Sequence, residues 1–152
     1  MSGTATSETK LILPGLRGFY DSVADVAFTL MRIVIGYIFF MHGWVKLNAG
    51  AAGITAYMAK TGLEPSAAFA YAAMFIETVG AICLILGLFT RFFAAVMAIE
   101  MAIAFIFVHG PKGFAAAQGG FEYVLLLGIV FLFIALRGGG PYSVDRLIGR
   151  EL

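Results

Sequence analysis

Three ionisable residues interrupt apolar stretches of this chain: Arg32, Glu77 and Glu100. Glu77 and Glu100 are equally far from the midpoint of the turn 87–90, so antiparallel helices would place them at one depth, roughly 17 Å from the turn. Arg32 is expected about 6 Å away in depth, within reach of its long side chain. The spacing predicts one buried charge layer, in which changes to Arg32 and Glu77 would not be additive. Such a layer is either a structural ion network or a site where close carboxyl groups hold a transferable proton.

A second polar set is predicted nearer one membrane face. It contains two imidazoles, two ammonium groups and a carboxylate: His42, Lys46, His109, Lys112 and Glu122. Hydrogen-bonding groups beside apolar surface are typical of small-molecule sites. The set therefore predicts a polar mouth that could hold a quinone headgroup, although a hydrogen-bonded structural role for His42 explains that residue equally well.

The two histidines do not favour a haem with two axial ligands. His109 ends its apolar segment, whereas His42 lies about 9 Å inside its own segment by helical rise. Glu100 and His109 are nine residues apart, which is about 180° around a straight helix. A straight helix could not direct Glu100 and His109 at one site.

Composition indicates which elements must position these residues. The chain is 61% hydrophobic and 12% charged, with a mean hydropathy of +0.96, whereas soluble domains average about 25% charged residues. This composition is typical of an integral membrane protein in a lipid bilayer. The net charge of +1 argues against a nucleic-acid partner. The single Cys83, with only two histidines, excludes an intrachain disulfide framework and the usual four-ligand zinc sites.

Four apolar segments of membrane-spanning length predict an all-α fold, a four-helix transmembrane bundle. The predicted spans are 26–47, 67–86, 91–109 and 121–136. A flexible tail is expected over 1–18, and a single domain over 19–152. Within that domain, short helices are expected at 54–60 and, after the N-cap Ser143, at 144–149, the latter amphipathic and at the membrane surface.

The basic residues predict the orientation. Four spans place both termini on one side, together with Lys10, Arg17, Arg91, Arg137, Arg146 and Arg150. The other side has only Lys46, Lys60 and Lys112. The positive-inside rule therefore predicts that both termini are cytoplasmic.

Several motifs, in order and spacing, resemble the DoxX family of membrane proteins. They are HGWVKL at 42–47, FIETVGAICLILGLFTRFFA at 75–94, KGFAAAQGGFEY at 112–123 and GPYSVDRL at 140–147. The resemblance implies a four-helix membrane bundle related to subunits of quinone-linked oxidoreductases and oxidative-stress complexes. It supplies no catalytic residue, so the matching positions are candidates only: His42, Lys46, Glu77, Arg91, Lys112, Gly120 and Glu122.

Three functions remain open from the sequence. The first is an accessory subunit of a quinone-linked oxidoreductase or oxidative-stress complex in a bacterial inner membrane, with electrons supplied by a protein partner. The others are a non-enzymatic assembly or stress protein and a small proton-coupled carrier that uses Glu77 and Glu100. The chain has no metal motif, nucleotide loop or nucleophile triad, which favours a subunit of a complex over a self-sufficient enzyme. A homo-oligomer also remains open from the sequence.

Overall fold

A computed structural model describes residues 10–152, and the regular structure in that range is helical. The α-helices are α1 Arg17–Ala49, α2 Ala51–Lys60, α3 Ser66–Phe75, α4 Ala81–Leu86, α5 Thr90–Ala104, α6 Glu122–Arg137 and α7 Val144–Ile148. The first nine residues of the predicted tail lie outside the described part. Within the rest of that tail, a 3-10 turn at Pro14–Leu16 leads directly into α1.

Three helical stretches are long and apolar enough to cross a membrane: Pro14–Ala49, Ser66–Leu86 and Thr90–Lys112. These stretches confirm the predicted all-helical membrane protein. The predicted fourth span corresponds to α6, which has 16 residues and a length of about 24 Å. Because a span usually needs about 20 residues, membrane crossing by α6 remains a prediction.

Two of the three stretches contain a π-helical turn. Ile76–Gly80 joins α3 to α4, and Phe105–His109 follows α5. A π turn accommodates one more residue than an α-helical turn and rotates everything beyond it about the helix axis. The helical faces before and after each turn therefore differ from those of a straight helix.

The helices pack mainly as two neighbouring pairs. The stretch Ser66–Leu86 lies along α1, and α6 lies along α5. Small residues allow the first pair to approach closely: a β-carbon added at Gly36 would lie 2.7 Å from Ile85, and one at Gly43 would lie 2.6 Å from the backbone of Glu77. The pairs share a core that includes Phe39, Leu84, Met97, Phe131 and Ile134.

The C-terminal segment closes one end of the bundle. The side chain of Ser143 caps α7 as predicted, since it accepts the amide N–H of Arg146 at 3.2 Å. The prediction that α7 simply lies at the membrane surface was incomplete, because Asp145 on α7 is only 1% exposed. Its carboxylate accepts the N–H groups of Phe89 and Thr90 at 2.7 and 2.9 Å. A free helix start needs such acceptors, and here α7 supplies them to α5.

Candidate functional site

Arg32 does not join the glutamates with which the sequence grouped it. Its guanidinium donates to the carbonyl oxygens of Leu84 and Ile85 at 2.5 and 2.8 Å, and to that of Tyr142 at 2.8 Å. The predicted layer of Arg32, Glu77 and Glu100 is therefore corrected. The carbonyls at a helix C-terminus lack partners within the helix. Those at the end of α4 therefore accept hydrogen bonds from Arg32, which does not pair with the two glutamates. We call Arg32, Ser143 and Asp145 the cap cluster.

Lys46, rather than Arg32, pairs with Glu77. Lys46 Nζ lies 2.5 Å from Glu77 Oε2, and the two side chains are 22% and 6% exposed. Gly43 explains this pairing, since it brings α1 against the backbone of Glu77, and Lys46 lies about one turn further along the same face of α1. The partly exposed ammonium thus connects the buried carboxylate with the surface.

Glu100 lies beside Glu77, as the equal spacing from the turn predicted. Both residues border the same cavity, and their carboxyl groups are near enough to interact electrostatically. The second carboxyl oxygen of Glu100, Oε2, is buried and has no hydrogen-bond partner among the described residues. Burying an acceptor without a donor costs free energy. This oxygen is therefore suited to a ligand that supplies an O–H or N–H donor. We call Lys46, Glu77 and Glu100 the cavity cluster.

All three residues of the cavity cluster border a cavity of about 380 Å³. Its walls are mainly apolar and come from α1, α2, α3, α5, α6 and the loop after Lys112; they include Phe39, Met58, Phe69, Ile99, Met101 and Leu127. Two imidazoles, those of His42 and His109, also border it. An apolar enclosure of this size with a few polar groups is a usual design for a small-molecule site.

His109 shares the cavity with Glu100, contrary to the argument from a straight helix. The π turn Phe105–His109 absorbs one extra residue, which reduces the angle between Glu100 and His109 from about 180° to about 80°. The Nδ1 atom of His109 lies 2.7 Å from the carbonyl oxygen of Gly119. That contact orients the ring between the helix end and the loop above the cavity.

Five of the eight predicted site residues line this cavity, and three do not. Arg32 belongs to the cap cluster, while Lys112 and Glu122 lie in the neighbouring loop and at the start of α6. Glu122 accepts the N–H of Ala116 at 2.7 Å and so holds the loop that forms part of the cavity wall. The predicted polar mouth is therefore reduced to His42, Lys46 and His109, with the two glutamates beneath them.

Some contributors could not be identified from residue type and spacing. Tyr57 and Tyr123 line the cavity, and the ring centroids of His42 and Tyr123 are 6.3 Å apart. The contact of Asp145 with the start of α5 could not be predicted, because a carboxylate near a helix start normally interacts with its own helix. Within residues 10–152, no three His, Cys, Asp or Glu side chains are arranged to hold a metal ion.

The sequence has relatives of similar length. An uncharacterized protein of Haemophilus influenzae is 38% identical over 120 residues, 76% of this chain and 86% of the relative. CatD of Bacillus subtilis, whose name describes it provisionally as an oxidoreductase, is 31% identical over 82% of this chain and 88% of its own. The inner membrane protein YqjF of Escherichia coli is 29% identical over 84% of this chain and 95% of its own.

Family membership follows from these matches and from a family-level comparison. No solved structure matches the chain significantly. The sequence model of the DoxX family matches residues 27–110, a range that includes the last two thirds of α1, the cavity cluster and both π turns. The apolar helices have the length and composition of membrane spans. This chain therefore belongs to the DoxX family of integral membrane proteins.

Proposed function

We propose that this protein is the quinone-binding accessory subunit of an oxidoreductase complex in a bacterial inner membrane. The cavity would hold the quinone headgroup, and a partner protein would carry the redox group. The observation on which the proposal depends is the buried Oε2 of Glu100, which lacks a donor beside an apolar cavity. A quinol hydroxyl is a donor of the required kind, attached to a ring that suits apolar walls.

The cavity cluster would supply protons to the ring. Reduction of a quinone to a quinol consumes two electrons and two protons; the electrons would come from the partner's redox group. Two adjacent carboxyl groups can hold a proton between them, so Glu100 and Glu77 could transfer it to a ring oxygen. Lys46, which contacts Glu77 and is 22% exposed, would allow the pair to be reprotonated from the surface. His42 and His109 border the cavity as further hydrogen-bonding groups.

A four-span topology with cytoplasmic termini is part of the proposal. Arg137, at the end of α6, lies 3.2 Å from Asp25 near the start of α1, and Arg91, at the start of α5, lies 2.6 Å from Glu151. Contacts among these helix ends support a bundle in which α6 runs back to the side where α1 began. That end has most of the basic residues and would face the cytoplasm.

The relatives support the location and the reaction class. YqjF is named as an inner membrane protein, and CatD is named provisionally as an oxidoreductase. A proton-coupled carrier is less well supported, because the buried cap cluster fills the end of the bundle opposite the cavity. A carrier would need an exit through that end.

Quinone binding by the purified protein tests the proposal. We would measure the affinity of decylubiquinol, kept reduced under anaerobic conditions, for the protein in nanodiscs, and analyse copurified lipids for quinone. Glu100→Gln replaces the charged acceptor with a neutral amide and should weaken decylubiquinol binding about tenfold, equivalent to about 1.4 kcal/mol, since the charge-assisted hydrogen bond from a quinol hydroxyl is lost.

Glu151→Gln is the matched control, because Glu151 is exposed and outside the cavity lining, and it should leave the affinity unchanged. Equal affinity of the wild type and Glu100→Gln would contradict the assigned role of Glu100. If the wild type binds no quinone at all, the proposed function is wrong.

A further inference from the structure

The cavity has a lateral opening between α3 and α5. These two helices have little close backbone contact, unlike the pairs α2–α3 and α5–α6. Ile99 on α5 borders the cavity and is nevertheless 62% exposed. Ala72 on α3 likewise borders the cavity and is exposed. Side chains that contact both the cavity and the outer surface mark an opening between these helices.

The opening lies at the depth of the lipid chains. Ile99 is nine residues beyond Thr90, where α5 begins, and is therefore about 14 Å into a hydrocarbon layer that is roughly 30 Å thick. The side chains around the opening are apolar: Phe69, Ala72, Ile76, Val96, Ile99 and Ile103. An opening of this kind faces acyl chains, not water or headgroups.

A second opening has a different chemistry. His42 on α1 and Tyr123 on α6 are both exposed and both border the cavity, and α1 and α6 have little close backbone contact. The exposed edge of this opening is an imidazole and a phenol, near the partly exposed Lys46. The cavity thus has one apolar and one polar opening, on different sides of the cavity cluster.

We propose that the ligand is a membrane-dissolved molecule with a long apolar tail, which enters between α3 and α5 and leaves its tail in that opening. Protons and small polar species use the opening between α1 and α6. This inference depends on the proposed quinone site and adds to it the class of substrate, a tailed quinone from the bilayer in place of a soluble one. The polar head would reach the cavity cluster while the tail remains among the residues around Ile99.

A bulky residue at Ile99 tests the inference. Two ubiquinone analogues serve as probes for protein in nanodiscs: decylubiquinone and a tail-free benzoquinone with the same ring substituents. Ile99→Trp should weaken binding of decylubiquinone about tenfold, because an indole would occupy the space of the tail. It should change the affinity for the tail-free probe by less than about twofold, a difference of only about 0.4 kcal/mol.

Ile129→Trp is the matched control. Ile129 lies on α6 and is 58% exposed, but it does not line the cavity; its substitution should affect neither probe. Unchanged decylubiquinone binding in Ile99→Trp would overturn the inference. Equal weakening of both probes would also overturn it, since the substitution would then act on the head site. If the wild type binds neither probe, both the proposed quinone site and the proposed tail opening are wrong. If the wild type binds both probes and Ile99→Trp weakens both equally, only the tail opening is wrong.

Discussion

The cap cluster and the cavity cluster use similar residues in opposite ways. In the cap cluster, Arg32 and Asp145 are each 1% exposed, and their charged groups contact backbone carbonyls and amides. In the cavity cluster, Lys46 and Glu77 contact one another. Arg32 Nε and Glu100 Oε2 are both buried without a partner among the described residues, but only Glu100 borders the cavity. Backbone partners fix helix ends in place, whereas side-chain partners beside a cavity can exchange with a ligand. An ionisable residue in a membrane helix is therefore not by itself a sign of a binding site.

The largest difference should appear in stability. Arg32→Leu would leave three carbonyl oxygens without their donor and Asp145 without a nearby positive charge. We expect it to lower the free energy of unfolding by about 3–5 kcal/mol, the usual cost of removing one partner from a buried charged group. Unfolding in mixed micelles with increasing denaturing detergent measures this. Arg146→Leu is the control, because Arg146 is exposed, and should change stability by no more than about 0.5 kcal/mol.

If Arg32→Leu lowers the free energy of unfolding no more than Arg146→Leu does, the cap cluster does not hold the helix ends together.

A smaller effect tests whether the two clusters are independent. Arg32 contacts carbonyls at Leu84 and Ile85, about two helical turns beyond Glu77. The sequence predicted a shared layer and hence non-additive changes, but separate clusters predict additivity. The change in unfolding free energy for Arg32→Leu with Glu77→Gln should equal the sum of the single changes within about 0.5 kcal/mol. If the double variant is more stable than this sum predicts, the result would support the shared charge layer of Arg32, Glu77 and Glu100.

Much of the fold could be predicted from the sequence, because apolar length and helix-end residues are local signals. The helix from Ser66 to Leu86 and the connection at Gly87 were predicted closely, and Gly87 adopts the left-handed conformation at φ 71° that favours glycine at a helix end. The placement of Glu77 and Glu100 at one cavity also agrees with their equal distances from that turn.

The partners of the charged residues could not be predicted, because they depend on packing between distant segments. Tyr142, which accepts from Arg32, and Asp145, which caps α5, come from a C-terminal segment whose position no local pattern determines. The placement of His109 depends on a π turn, which a uniform helical wheel cannot represent. The sequence thus indicated which residues are unusual in a membrane but not which cluster each one joins.

The most direct test combines both clusters in one measurement, the melting temperature in nanodiscs with and without decylubiquinol under anaerobic conditions. A ligand at 100 times its dissociation constant stabilises the folded state by about 2.7 kcal/mol, so the wild type should melt at a higher temperature when the quinol is present. Glu100→Gln should melt near the wild-type temperature without ligand and lose about half of the gain, because tenfold weaker binding reduces the stabilisation to about 1.4 kcal/mol at the same ligand concentration. Asp145→Asn should melt lower without ligand, having lost a charged acceptor for two amides, and should keep the full gain. The opposite pattern, with the gain kept by Glu100→Gln and lost by Asp145→Asn, would contradict the division into a structural and a ligand-binding cluster.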